Sequence, residues 1–247
     1  AQVTKQAIEA TTLSVVKNQL SVENQLGTDQ FGVIPRVRIW FNPGRQEALS
    51  IVPGSYGIVL AIFPPLLIAI ALVREKEKGT ILQLYASSLS AFELLVGKSL
   101  AYMLVGVAEA LILFMCGFLF FGAHVVGDPT PLLIGTPIFL LASVQLGLVI
   151  AIFTTTQSSA VQAIGTIKVM TGFLLAGFLF PLNNVPFPFS LVSNVVPVRY
   201  YIELCRNVFV RGSGWAGTWH LIIILLILGV AEFGIAWWGM RRMQLSS

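Results

Sequence analysis

Hydrophobic residues along this chain are gathered into long blocks separated by short polar stretches. Five blocks reach the about 20 mostly apolar residues that a helix needs to cross a hydrocarbon layer roughly 30 Å thick. They run near Pro53–Val73, Leu94–Val125, Pro131–Phe153, Ala160–Leu182 and Thr218–Met240. The first carries no charge, and the second is interrupted by Lys98 and Glu109. Gly, Pro, Ser and Thr within the blocks fit, because such residues are frequent in membrane helices. The start of the chain differs. Residues 1–30 are rich in Thr, Gln, Asn and Lys, with apolar positions spaced as on an amphipathic helix. Val37, Ile39 and Phe41 then alternate with Arg36, Arg38 and Trp40, which predicts a short strand, and Asn42-Pro43-Gly44 predicts a turn. The pattern reads as an all-α integral membrane protein with five transmembrane helices, carrying the end of an external α/β domain at its N-terminus. Residues 1–52 are assigned to that domain and 53–247 to the membrane. The chain begins at Ala1 with no signal peptide, and is read as a fragment of a longer one.

Composition narrows the function. Of 247 residues, 56% are hydrophobic and 11% charged, with a mean hydropathy of +0.84. A soluble domain carries about 25% charged residues, so this chain cannot cover a water-facing surface. That excludes a soluble enzyme, a disordered linker and a nucleic-acid binder; the net charge of +4 is too dilute to track phosphates. Cys116 and Cys205 are far apart, and His124 and His220 too scattered for a metal site. Gly97-Lys98-Ser99 mimics the end of a phosphate-binding loop, but the Gly needed five positions before Gly97 is Phe92. No ATPase machinery is encoded here. Basic residues divide nearly evenly between the two sides, so the positive-inside rule does not choose an orientation.

The most informative polar stretch is Arg74-Glu75-Lys76-Glu77-Lys78-Gly79-Thr80. Its charges end the first span at water, and Gly79 suits the left-handed conformation that closes a helix. Thr80 and Gln83 have capping-box spacing for a new helix, in which Leu82, Tyr85, Leu89 and Phe92 fall near one face. Ser90 and Glu93 repeat the spacing at the next span. Residues 74–93 thus read as an elbow: span, stop, short surface helix, restart. From composition alone, a solvated stop-transfer charge run is the competing reading.

The elbow sequence, followed by a Leu-rich stretch and Glu93-Leu94-Leu95-x-Gly97-Lys98, resembles the cytoplasmic loop of ABC-2 type permeases, the membrane subunits of ABC exporters. A second stretch agrees: Gly177-Phe178-Leu179-Phe180-Pro181, Asn184-Val185-Pro186, then Pro197, Arg206, Arg211 and Gly212 resemble that family's last external loop, with Val185 where Met is usual. Asn42-Pro43 before Pro53-Gly54 resembles the family's entry to its second span. The resemblance extends from about Arg36 to the end. It implies a pattern of six spans with the first absent here, a multi-pass protein of the bacterial inner membrane, an N-terminal segment outside and a cytoplasmic C-terminus. It further implies that the elbow docks into a separate ATP-binding subunit holding ATP and Mg. Arg74, Glu75, Lys76, Glu77, Lys78, Gly79, Thr80, Leu82 and Tyr85 would be its coupling residues. Loop 183–217 would form a re-entrant external gate, for which Pro181, Asn184, Pro186, Pro197, Arg206 and Arg211 are the candidates. The implied partners are that ATP-binding subunit, a second permease subunit in a dimer, a periplasmic adaptor protein and membrane lipids. The implied function is export of a hydrophobic or amphipathic substrate (drug, lipid or polysaccharide) by alternating access.

Three ionisable residues fall inside spans, where an unpaired charge costs about 2.5–3.5 kcal/mol or more. Lys168 and Glu232 each lie about eight residues, or roughly 12 Å, from the elbow side of consecutive antiparallel spans. They are expected to pair or to share a polar cavity, as structural glue or as a transport site. Glu109 lies roughly 22 Å deep, as a substrate-path or proton-linked residue or as an acid bonded to a neighbouring hydroxyl. Lys98 is expected to reach back to the headgroups. The alternative function is a secondary transporter or channel using Glu109, Lys168 and Glu232 without an ATPase.

Overall fold

The computed structural model describes residues 47–80, 90–178 and 189–246. The chain divides into two compact units, Ala1–Ile39 and Trp40–Ser247, and every described residue lies in the second. The expected strand near Val37 to Phe41, the elbow's surface helix with Leu82 and Tyr85, and Pro181, Asn184 and Pro186 fall outside the described residues.

Among the described residues, five helices are long and apolar enough to cross a membrane. They are α1 (Glu47–Glu77), α2 (Ala91–Phe121), α3 (Thr130–Phe153), α4 (Gln157–Met170, extended by a π turn at Thr171–Leu175) and α7 (Trp219–Ser246). Among the described residues between α4 and α7 are the short α-helices α5 (Phe189–Val195) and α6 (Pro197–Arg206), the latter followed by a π turn at Asn207–Arg211, and a 3-10 turn at Trp215–Gly217. Among the described residues the fold is all-helical with an apolar core, matching the membrane part of the sequence reading, with α1 starting six residues before Pro53. Each of the five helices runs opposite to the one before it. The end of α1, the start of α2, the α3–α4 turn and the end of α7 therefore share one end of the bundle, called here the elbow end; the α2–α3 loop and α5–α6 share the far end.

Burial separates core spans from peripheral ones. The most apolar windows of α1 and α3 are 61% and 67% buried within the protein, against 17% for α2 and 22% for α7. The latter two turn large apolar faces, such as Leu104, Leu111, Ile227 and Val230, outward. Such faces suit lipid, which solvates them as well as a protein core does. The α1–α3 contact depends on Gly147. A Cβ there would fall 2.5 Å from the Pro65 carbonyl oxygen and 2.7 Å from its Cα, so only glycine lets the two backbones meet. At Gly106 of α2 an added Cβ would meet side chains instead, Leu140 Cδ2 at 2.9 Å and Pro64 Cγ at 3.2 Å.

Two apolar clusters stack along the bundle. Tyr56, Leu60, Phe139, Tyr201 and Leu225 belong to the far-end cluster, and Ile68, Leu72, Leu95, Leu148 and Ile164 to the elbow-end cluster. The amphipathic α6 completes the first. Its Ile202 sits over Gly57 of α1 and its Leu204 over Gly135 of α3, where added Cβ atoms would meet them at 2.5 and 2.3 Å. Tyr201 stacks on Phe139 with centroids 4.0 Å apart, and its hydroxyl lies 2.9 Å from Thr136 Oγ1.

Candidate coupling site

Local sequence sets the elbow end. Gly79 closes α1 at φ 70°, its N–H donating to the Lys76 carbonyl. Ser90 opens α2 with the expected capping box: the Ser90 N–H donates to Glu93 Oε2 at 2.8 Å, and the Glu93 N–H to Ser90 Oγ at 3.2 Å. An unforeseen second box, Thr156 with Ser159, opens α4.

The charges that end α1 then reach three other helices. Lys76 Nζ donates to the carbonyls of Ala151, Ile152 and Thr154 at 2.9, 3.0 and 2.6 Å. Those carbonyls belong to the C-terminal turn of α3, where acceptors lack helical partners and the helix dipole favours a cation. One residue on, the Glu77 carboxylate accepts from the Gln157 N–H at 2.8 Å and from the Gln157 side-chain amide. Gln157 is the first residue of α4, so an anion meets a helix N-terminus. Glu75 takes the third direction, receiving Lys98 of α2 at 2.5 Å in a pair whose side chains are 29% and 15% exposed. Lys98 therefore does not reach for headgroups: an acid of the same elbow lies within its range and keeps it in the protein. Arg74 and Lys78 face outward. The α1 terminus is thus clamped to α2, α3 and α4 together.

The far end carries the other predicted set. Pro197 is the buried first residue of α6. Arg206 at its end donates to the carbonyls of Gly177 and Phe178 at 2.8 and 3.3 Å, tying α6 to the segment after α4. Arg211 donates to Asn207 Oδ1 at 2.8 Å and lies 4.0 Å from Glu203. Asn207 in turn donates to the Gly217 carbonyl. Trp215 Nε1 donates to Thr130 Oγ1 at 2.7 Å, and Thr130 to Asp128, joining this region to the start of α3. The Thr130 backbone N–H, then its hydroxyl, hold the Asp128 carboxyl below the usual carboxylate range.

The intramembrane ionisable residues separate. Lys168 is 3% exposed and Glu232 is near enough for each to act on the other's charge. Neither is in the ion pairs of 4.0 Å or less found among the described residues, and Glu232 Oε2 is buried with no hydrogen-bond partner. Glu109 is half-buried on α2 and is in none of the ion pairs found among the described residues. Cys116 and Cys205 are both free.

Residues 1–238 match the family described as ABC-2 family transporter protein. The chain belongs to that family. ABC-2 relatives include "Probable multidrug ABC transporter permease YbhS" of Escherichia coli, 25% identical over 207 residues, which are 84% of this chain and 55% of the relative. "Probable multidrug ABC transporter permease YbhR" of the same organism is 24% identical over 203 residues, 81% of this chain and 55% of the relative. "Inner membrane transport permease YhhJ" is 26% identical over 211 residues, covering 81% and 53%. The chain spans about half the length of the curated relatives it matches. As an ABC-2 family protein whose described residues include five helices long and apolar enough to cross a membrane, it is a multi-pass membrane protein.

Proposed function

We propose that this chain supplies the membrane-spanning part of a permease subunit in an ATP-driven exporter of the bacterial inner membrane. The elbow end faces the cytoplasm and meets a separate ATP-binding subunit, which holds ATP and Mg. The observation that carries this reading is the three-way clamp of Glu75, Lys76 and Glu77. An external push on residues 80–90 would displace the end of α1, and the clamp would pass the displacement to the adjoining ends of α2, α3 and α4. A nucleotide can shift the permease between states only through contacts that differ between them. A terminus tied to three spans makes such a difference felt throughout the bundle. Names of the relatives favour a drug-like, hydrophobic or amphipathic cargo.

A second copy of the subunit would stand against α4. That span has the lowest hydropathy of the five, 1.2, and leaves Gln162 and Thr166 exposed at membrane depth. Bare polar side chains are costly in hydrocarbon and are normally covered by another helix or by a water-lined path.

The test uses the full-length permease with its ATP-binding subunit in vesicles. Glu75→Lys and Glu77→Lys should lower ATP-dependent export at least tenfold while ATP hydrolysis stays within twofold. Unchanged export would remove the elbow from the mechanism. Export that follows an ion gradient without ATP would replace the reading by a secondary transporter.

A further inference from the structure

Polar groups without partners gather at one level inside the bundle. Among the described residues, Glu232 Oε2 of α7 and Ser143 Oγ of α3 are buried with no hydrogen-bond partner. Lys168 of α4 is 3% exposed. Its ammonium and the Glu232 carboxylate act on each other's charge without forming an ion pair of 4.0 Å or less. Glycine contacts fix the level of each group. Gly172 of α4 lies against Ile58 of α1, and Gly147 of α3 against Pro65. At about 1.5 Å per residue, Lys168 then stands level with Ile62 of α1 and Val144 of α3. Gly229 and Gly239 of α7 lie against Ala142 and Ile152 of α3, which sets Glu232 level with Gln145. The two charges and Ser143 therefore fall within about 3 Å of one another along the bundle axis.

We propose that bound water bridges Lys168 and Glu232, with the Ser143 hydroxyl as a third partner, in a hydrated site inside the membrane. Polar groups too far apart to touch directly are commonly joined through water, and a buried water makes about three hydrogen bonds to groups otherwise unsatisfied. The charges choose the occupant. A cation would meet the Lys168 ammonium and an anion the Glu232 carboxylate, whereas water accepts from the first and donates to the second. A carboxylate oxygen left unpaired at this depth carries its full desolvation cost, which a bonded water relieves. The same level already holds the Gln145 to Ser99 hydrogen bond of 3.0 Å, which ties α3 to α2. Lys168 and Ser143 are enclosed within this chain, so the site does not depend on what packs against the outside of the bundle. Nor does it depend on whether ATP drives the permease.

The experiment uses the full-length protein, isotope-labelled at lysine nitrogen, in proteoliposomes of phosphatidylethanolamine and phosphatidylglycerol with deuterated chains. Water-edited solid-state NMR follows the transfer of magnetisation from water protons to each lysine Nζ, and the Lys168 signal is identified by its loss in Lys168→Arg. That signal should build up at least threefold faster than the Lys168 backbone amide, which lies within helix α4, and within about twofold of the exposed Lys78. Glu232→Leu removes one partner of the bridge and should slow the Lys168 build-up at least threefold, whereas Glu109→Leu on α2 should leave it unchanged. An Nζ signal that grows no faster than its own backbone amide would show a dry pair and overturn the proposal. A fast build-up that Glu232→Leu leaves unchanged would also overturn it, because the water is then not held by the pair. Should Glu232→Leu fail to assemble, the wild-type comparison of Lys168 Nζ with its backbone amide decides.

Discussion

Lys76→Met isolates the strongest element of the clamp. Methionine keeps the aliphatic stem and removes the ammonium, leaving the carbonyls of Ala151, Ile152 and Thr154 without their donor. A hydrogen bond to a charged group contributes about 1.5–3 kcal/mol, and a cation on a helix C-terminus up to about 2 kcal/mol in partly buried geometry. The three bonds share one charge and are not additive, so the expected loss is about 3 kcal/mol, well short of their sum. At about 2–4 °C per kcal/mol for a chain of this size, the melting temperature should fall by about 6–12 °C. Thermal scans of the purified full-length protein, followed by tryptophan fluorescence, read this directly. Amide hydrogen exchange at residues 153–157 should rise in the same variant, since the α3–α4 turn loses its anchor. A fall of less than about 2 °C with unchanged exchange would show that the three contacts contribute nothing to stability, and the clamp would lose its physical basis.

Other substitutions test other parts of the argument. Gly147→Val places atoms against the Pro65 backbone and should cost about 1–3 kcal/mol or more, seen as a reduced monodisperse fraction on size exclusion. Gly79→Ala meets no atom within 4 Å but must hold φ 70°, so its loss of about 1–2 kcal/mol is purely conformational; Gly79→Asn should recover part of the melting temperature. Tyr201→Phe keeps the Phe139 stack and loses the Thr136 contact, for about 0.5–1.5 kcal/mol by thermal scan. Asp128 has a depressed carboxyl pKa, so its stabilising contribution is present above the ordinary Asp value and is lost as pH falls through the folded-state value. Melting curves of Asp128→Asn should accordingly converge with wild type in strong acid and separate above it.

Where local pattern sufficed, the chain was readable. The five spans, the left-handed Gly79 and the Ser90–Glu93 box each follow from neighbours a few residues apart. The clamp was not readable, because Lys76 and Glu77 find partners 75 to 80 residues away. A solvated charge run and a buried tie have the same composition. Lys98 was misassigned for that reason: its depth suggested headgroups, and nothing in sequence placed Glu75 beside it. The intrusion of α6 between α1 and α3 was equally hidden. Gly57 and Gly135, which admit it, look like the small residues common to any membrane helix. Periodicity gives little help in such a chain, because packed and lipid-facing sides are both apolar.

The meeting of Gly147 with Pro65 has a mechanical consequence. Helix α1 is about 46 Å long at 1.5 Å per residue, and Pro65 divides it into arms of roughly 27 and 18 Å. A rod pressed against its neighbour at an inner point is a lever with that point as fulcrum. A sideways thrust at the shorter arm swings the longer arm the opposite way, magnified about 1.5-fold. On that longer arm Tyr56 stands about 14 Å and Val52 about 20 Å from the fulcrum, so Val52 sweeps further.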